Sequence, residues 1–182
     1  YNKKGVSVLF LSQPKLSSVG GTGSKGYALL KWKAVSGAKG YDIYRKGGSL
    51  SNSEWVKIAS VKGKSTVSYT DKTATKTDWC YTYSVRAVNG SYKSTYNKDG
   101  IEFDYIKAPS LKSASSYTDG VMIKWSCSDR DVVKYWVYRK NSSGWEKIGT
   151  TTDEFFTDKN VKSGSYYTYT VRGVTKNNGG AY

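Results

Sequence analysis

Tyr81-Thr82-Tyr83-Ser84-Val85-Arg86 alternates aromatic and branched side chains with small polar or charged ones. Successive side chains of a strand point to opposite faces, so a period of two predicts a strand with one buried face. The same string returns as Tyr167-Thr168-Tyr169-Thr170-Val171-Arg172. Working outward, Tyr41-Asp42-Ile43-Tyr44-Arg45-Lys46 is matched by Tyr135-Trp136-Val137-Tyr138-Arg139-Lys140, and Leu30-Lys31-Trp32 by Ile123-Lys124-Trp125. Trp55-Val56-Lys57-Ile58 recurs as Trp145-Glu146-Lys147-Ile148, and Tyr69-Thr70-Asp71 as Phe156-Thr157-Asp158. Pro14-Lys15-Leu16 and Pro109-Ser110-Leu111 open the two copies. The chain is an internal repeat, and the drifting offset between matched strings puts the length differences in loops.

Each copy reads as half-buried antiparallel strands separated by Gly, Ser, Asn and Asp clusters. No segment shows a helical period. Both prolines precede the first strand of a copy, where a missing N–H breaks no ladder. The expected fold is all-β: two β-sandwiches, residues 14–107 and 108–182. A third, partial match joins Tyr96-Asn97-Lys98-Asp99-Gly100-Ile101 to Tyr1-Asn2-Lys3-Lys4-Gly5-Val6. Residues 1–13 are therefore expected to be the last strand of a preceding repeat, with Val6–Leu11 apolar and extended. The second copy stops before its own version of that strand.

Composition bounds the chemistry. The 182 residues include 17 Tyr and 6 Trp, an aromatic load foreign to disordered chains. With no histidine, Ser-His-Asp and Cys-His catalysis and histidine-bound zinc are excluded. Cys80 and Cys127 are too few for a four-cysteine metal site, and their opposite strand parity predicts two free thiols. No apolar run approaches the ~20 residues that cross a bilayer as a helix, so membrane insertion is not expected. Gly20-Gly21-Thr22-Gly23-Ser24-Lys25-Gly26 lacks the Gly-Lys-Ser/Thr of a phosphate loop and reads as the loop between the first two strands. Asp71 and Asp158 recur at a strand end, where a turn uses them. Without a second carboxylate at a repeated spacing, no paired acid/base site is expected. No catalytic residue, metal site or cofactor is assigned.

The order Pro-x-Leu, Leu/Ile-Lys-Trp, Tyr-x-Ile/Val-Tyr-Arg, Tyr/Phe-Thr-Asp and Tyr-x-Tyr-x-Val-Arg resembles fibronectin type III domains, of the immunoglobulin-like sandwich class. It is similar in particular to the Lys- and Tyr-rich versions found in tandem in surface proteins of Gram-positive gut bacteria. The loop Thr73–Asp78 departs from that pattern in lacking the usual Leu and Pro. The resemblance implies an extracellular place, at the cell surface or secreted, and neighbouring domains of a parent protein as partners. It also implies that Trp32 and Trp125 fill the core, and that Tyr81 and Tyr167 are tyrosine corners whose hydroxyls return to backbone.

Strand parity then selects candidate binding residues. With Tyr41 and Ile43 inward, Asp42 and Tyr44 face outward, joined by Trp55 and Arg86; the second copy offers Trp136, Tyr138, Trp145 and Arg172. Two readings stand side by side. Guanidinium–indole and cross-strand contacts steady a sheet, whereas flat exposed rings also suit stacking on pyranoses. Trp136, unique to the second copy, favours binding there. The net charge of +15 divides as +2, +9 and +4 over residues 1–13, 14–107 and 108–182. Lysine spread along strands favours diffuse attraction to anions, and no nucleic-acid motif accompanies it. The expected function is a non-catalytic spacer module; the alternative is an adhesin or carbohydrate-binding module for anionic cell-wall or mucin glycans. One further partner is expected: a second copy, met head to tail through residues 6–11.

Overall fold

The computed structural model describes residues 4–22, 25–47, 54–77 and 79–180. Tyr1 to Lys3 of the partial repeat, Gly23 and Ser24 of the glycine-rich stretch, and Asp78 lie outside them. The chain divides into two compact units, one of Tyr1–Val19, Leu29–Asp71 and Cys80–Phe103, the other of Gly20–Ala28, Lys72–Trp79 and Asp104–Tyr182. Every regular element among the described residues is a strand.

Strands β1 (Leu16–Thr22), β2 (Tyr27–Trp32) and β5 (Ser68–Asp71) form one sheet in the order β1-β2-β5. Strands β3 (Gly40–Gly47), β4 (Val56–Lys62), β6 (Cys80–Asn89) and β7 (Tyr92–Lys93) form another, ordered β4-β3-β6-β7, with β8 (Ile101–Asp104) also on β6. The remaining strands repeat the scheme. β9 (Ser110–Tyr117), β10 (Gly120–Ser126) and β13 (Phe155–Asp158) order as β13-β10-β9. β11 (Lys134–Asn141), β12 (Gly144–Thr151) and β14 (Tyr169–Val174) order as β12-β11-β14. In the second unit Ile123 and Trp125 from one sheet pack with Tyr135, Val137, Tyr169 and Val171 from the other. Two antiparallel sheets closed over one core make a β-sandwich, as the alternation predicts.

The same arrangement recurs inside. Trp32 and Trp125 are each 3% exposed. Their rings meet Tyr41 and Tyr135 edge-on, with centroids 5.4 and 5.3 Å apart. The β3–β4 register slips between Ile43 and Tyr44, and the β11–β12 register between Val137 and Tyr138. Ile58 and Ile148 are the extra residues of these bulges. Each extra residue reverses the parity of its strand on the far side of the bulge, and so Trp55 and Trp145 share a face with Tyr44 and Tyr138.

Four expectations are corrected. Val6–Leu11 is not a strand: Val6, Val8 and Phe10 are 94%, 79% and 84% exposed, and only Leu11 is buried. An isolated strand with no ladder partner has no hydrogen bonds to hold it. Gly20 to Thr22 belong to β1 and not to a loop. The last strand of the second unit starts at Tyr169, two residues later than its sequence match suggests, and Val174 bridges to Gly179. Asp71 and Asp158 are buried and hold ion pairs as well as ending strands.

Candidate binding faces

The two outer faces of the β4-β3-β6 and β12-β11-β14 sheets start from the same strands and end differently. In the first unit Tyr44, Trp55 and Arg86 converge on a ring that strand parity did not select, Tyr96. Tyr44 stacks on it with centroids 5.4 Å apart and planes 10° from parallel. Trp55 meets it edge-on at 5.9 Å, and the Arg86 guanidinium lies 5.9 Å from its centroid. The Arg86 Nε–H donates to the Ser94 carbonyl, tying down the segment that carries Tyr96. Gly100, at φ 72°, closes the segment, because a Cβ there would lie 2.8 Å from the Trp55 ring and 2.7 Å from the Tyr83 carbonyl. Lys46 Nζ covers the indole at 5.0 Å. Tyr44, Trp55 and Arg86 are therefore half-buried beneath Tyr96 on the face that strand parity gave them. Asp42 is buried too, accepting a 2.5 Å hydrogen bond from Ser60 Oγ with Lys57 Nζ at 3.9 Å.

In the second unit Trp136 takes the place of Asp42, directly across from Arg172 on β14. Lys147, the counterpart of Lys57, sits 4.6 Å above the Trp136 ring. A cation–carboxylate pair in one unit thus becomes a cation–π pair in the other. Tyr138 lies across from Lys147, while Trp145 is across from Lys140 and 39% exposed. Trp136 also lines an open cleft of about 270 Å³ with Lys134, Val174, Lys176, Asn177 and Gly179. Arg172 donates from Nε to the Gly180 carbonyl, as Arg86 does to Ser94. The structure brings Trp136, Tyr138 and Arg172 together and leaves Trp145 further along the same face. Tyr182 comes after Arg172 at the spacing by which Tyr96 comes after Arg86, and lies outside the described residues.

The interior of each unit carries a polar group. Arg45 Nη1 lies 2.6 Å from Asp71 Oδ2, which also accepts from the Tyr83 hydroxyl at 2.8 Å. Arg139 Nη1 lies 2.8 Å from Asp158 Oδ2, and the Tyr169 hydroxyl donates to the same oxygen at 3.0 Å. Each guanidinium also faces a tyrosine ring, Tyr81 at 5.2 Å or Tyr167 at 5.5 Å. The Tyr167 hydroxyl accepts the Lys162 backbone N–H at 2.7 Å, the return to backbone expected of it. Asp158 keeps its turn duty as well, its Oδ1 accepting the Asn160 N–H at 3.0 Å. Sequence reasoning missed these Arg–Asp–Tyr groups, although a charged pair present in both copies at strand positions was the available signal. Cys80 and Cys127 are free thiols, and burial raises the pKa of Cys127.

No family model matches the sequence, and no curated protein matches it. Among solved structures, the chain is similar to the chicken CNTN1 FN1-FN3 domains at 16% identity and a TM-score of 0.45. That match covers 93% of this chain and 64% of the other, so the chain spans under two thirds of that structure's length. It is also similar to the chicken interferon gamma receptor alpha chain at 17% identity and a TM-score of 0.39, over 92% and 93% of the two chains. At such low identity and overlap neither likeness carries an argument. The fold rests on strand order and core.

The interior groups carry a pH prediction. Burial is the largest cause raising the Tyr83 and Tyr169 hydroxyls above their ordinary value, with Asp71 and Asp158 adding to it. A phenol whose folded pKa exceeds the unfolded one (about 10) stabilises the fold fully below the unfolded value. That contribution is lost as pH rises beyond it, since the unfolded chain releases its proton first. Thermal midpoints should fall progressively as pH rises above about 10, and Tyr83→Phe with Tyr169→Phe should flatten the fall. An undiminished fall in the double variant would assign it to other groups.

Proposed function

We propose that the chain is a non-catalytic structural module of an extracellular, multidomain bacterial surface protein, spacing or presenting neighbouring domains. One observation carries this reading: the interior charges of both units and the outer aromatics of the first are engaged within their own unit. Asp71, Asp158, Arg45 and Arg139 hold one another inside the sandwiches, and Tyr96 lies across the outer aromatics of the first unit. The resemblance of the strand motifs to fibronectin type III repeats supports the extracellular place and the company of other domains. Nucleic acid and bilayer insertion form no part of this proposal.

A second reading, a carbohydrate-binding module or adhesin, is favoured by the Trp136 cleft alone. An indole flanked by Lys134, Lys147 and Lys176 suits an acidic pyranose, stacked on the ring and balanced by ammonium groups. Anionic cell-wall polymers and mucin glycans have that chemistry. Binding to an array of acidic and neutral glycans at low and physiological salt separates the readings. The spacer reading expects weak retention that fades as salt screens the charge. Saturable binding that survives physiological salt and is lost in Trp136→Ala would replace it with the adhesin reading.

A further inference from the structure

At one pole of the first unit β2, β4 and β6 end and β3, β5 and β7 begin. Backbone hydrogen bonds tie this pole together. The Lys33 N–H donates to the Lys15 carbonyl at 3.0 Å, the Gly63 N–H to the Lys39 carbonyl at 2.8 Å, and the Lys39 N–H to the Val88 carbonyl at 2.8 Å. The Tyr41 hydroxyl donates to the Lys64 carbonyl at 2.9 Å. Lys62 and Lys93 stand opposite Gly40 and Val88 in their ladders. Gly40 allows the closest approach, since a Cβ there would lie 2.5 Å from the Val61 carbonyl.

The segments that meet here, residues 12–15, 33–39, 62–67 and 89–93, carry Lys15, Lys33, Lys39, Lys62, Lys64 and Lys93 and no Asp or Glu. All six lysines are exposed, and among the described residues none of them forms an ion pair. Asp42, two residues beyond Gly40 on β3, is buried against Ser60 Oγ. The fold does not demand this charge. In the second unit Ser110, Ser126 and Thr152 match Lys15, Lys33 and Lys62, and the corresponding loops bring Asp129, Asp131, Asp153 and Glu154. One pole is thus built twice, once basic without an acid and once rich in carboxylates. Like charges gathered without counter-charge repel one another, and a bound polyanion relieves that repulsion.

We propose that the basic pole of the first unit binds a linear anionic polysaccharide, one with carboxylate or sulfate groups on successive residues. Lysine presents a compact point charge and lacks the planar fork by which arginine grips a single carboxylate or phosphate. Ammonium groups spread over four segments suit a ligand whose own charges are spread, and each pair formed releases a counterion from a highly charged chain. Tyr92 is the one aromatic residue of these segments, too few for the succession of rings on which single-stranded bases stack. Val35 is buried and Val67 half-buried, which leaves no apolar wedge for a bilayer. The surface is separate from the Trp136 cleft, whose lining residues belong to the second unit.

The test compares two triple variants of equal charge: Lys39→Gln with Lys62→Gln and Lys64→Gln, and Lys112→Gln with Lys124→Gln and Lys162→Gln. All the substituted side chains are exposed, so both proteins should unfold at the temperature of the unaltered chain. Binding to polygalacturonate and to dextran sulfate is measured by calorimetry over a range of salt. Single-stranded DNA and phosphatidylglycerol vesicles are measured at equal charge concentration, and neutral dextran serves as the blank. At about 50 mM salt the first variant should bind the charged polysaccharides about tenfold more weakly, and its plot of log affinity against log salt should be shallower by about 2. The second variant should bind as the unaltered chain does. Lys134, Lys147 and Lys176 beside Trp136 are present in both variants, so a loss confined to the first belongs to the pole. The tighter of the two polysaccharides identifies the anion that is read. Equal losses in the two variants would overturn the proposal by assigning the attraction to the whole charge of +15. Tighter binding of DNA or of vesicles than of either polysaccharide would overturn it as well.

Discussion

Asp71→Ala is expected to destabilise the first unit by about 3–5 kcal/mol, the cost of leaving a buried charge without its partner. The side chains of Asp71 and Arg45 are 1% and 6% exposed, so water cannot replace the lost carboxylate. The Tyr83 hydroxyl loses its acceptor in the same step. Asp158→Ala should cost less, because Arg139 is 20% exposed and also donates to the Asn160 carbonyl at 2.7 Å. Replacing both charges, as in Arg45→Met with Asp71→Leu, should recover much of the loss, since apolar residues of similar volume carry no desolvation penalty. Calorimetric unfolding measures the size of the effect, and hydrogen exchange locates it on β3, β5 and β6. A loss below about 1 kcal/mol for Asp71→Ala would place the ion pair among those that contribute little.

These charges mark where the sequence stopped being readable. Alternation identified the inward faces of β2, β3, β6, β10, β11 and β14 because apolar side chains on one parity can only be explained by burial. Arg45 and Arg139 lie on the inward parity beyond the bulge, across from Tyr83 and Tyr169, where a charged residue contradicts the simple rule. Its partner is 26 residues away in the first unit, and no local pattern connects the two. The outer face shows the same limit. Parity selected Tyr44, Trp55 and Arg86, but Tyr96 reaches them from an irregular segment between β7 and β8, outside any period. What parity could not show for Val6–Leu11 was whether a partner lies beside it: an apolar, extended stretch is a strand only when another strand supplies its hydrogen bonds.

The tryptophan at the same place in both cores leads to the other large effect. Trp125→Ala should cost about 3–5 kcal/mol, the range for deleting a buried aromatic ring and leaving a cavity. Trp125 is 3% exposed, packs edge-on to Tyr135 and bridges the sheets beside Ile123, Val137 and Val171. Trp125→Phe should be far milder, because it keeps a ring against Tyr135, and a second effect shared by both variants lowers the loss further. The Trp125 indole N–H is buried with no hydrogen-bond partner among the described residues, as is that of Trp32. An unmet buried donor costs about 1–3 kcal/mol, and phenylalanine removes it while keeping an aromatic face toward Tyr135. Two terms therefore oppose each other in Trp125→Phe, the smaller ring and the relieved donor, whereas in Trp125→Ala the cavity dominates. The same contrast is expected at Trp32. Denaturant unfolding of the Ala and Phe variants measures both. Both variants delete the N–H, so the Phe loss itself reports on it: a loss of about 3 kcal/mol or more for Trp→Phe at either position would show that the indole N–H has a partner in solution, such as a buried water.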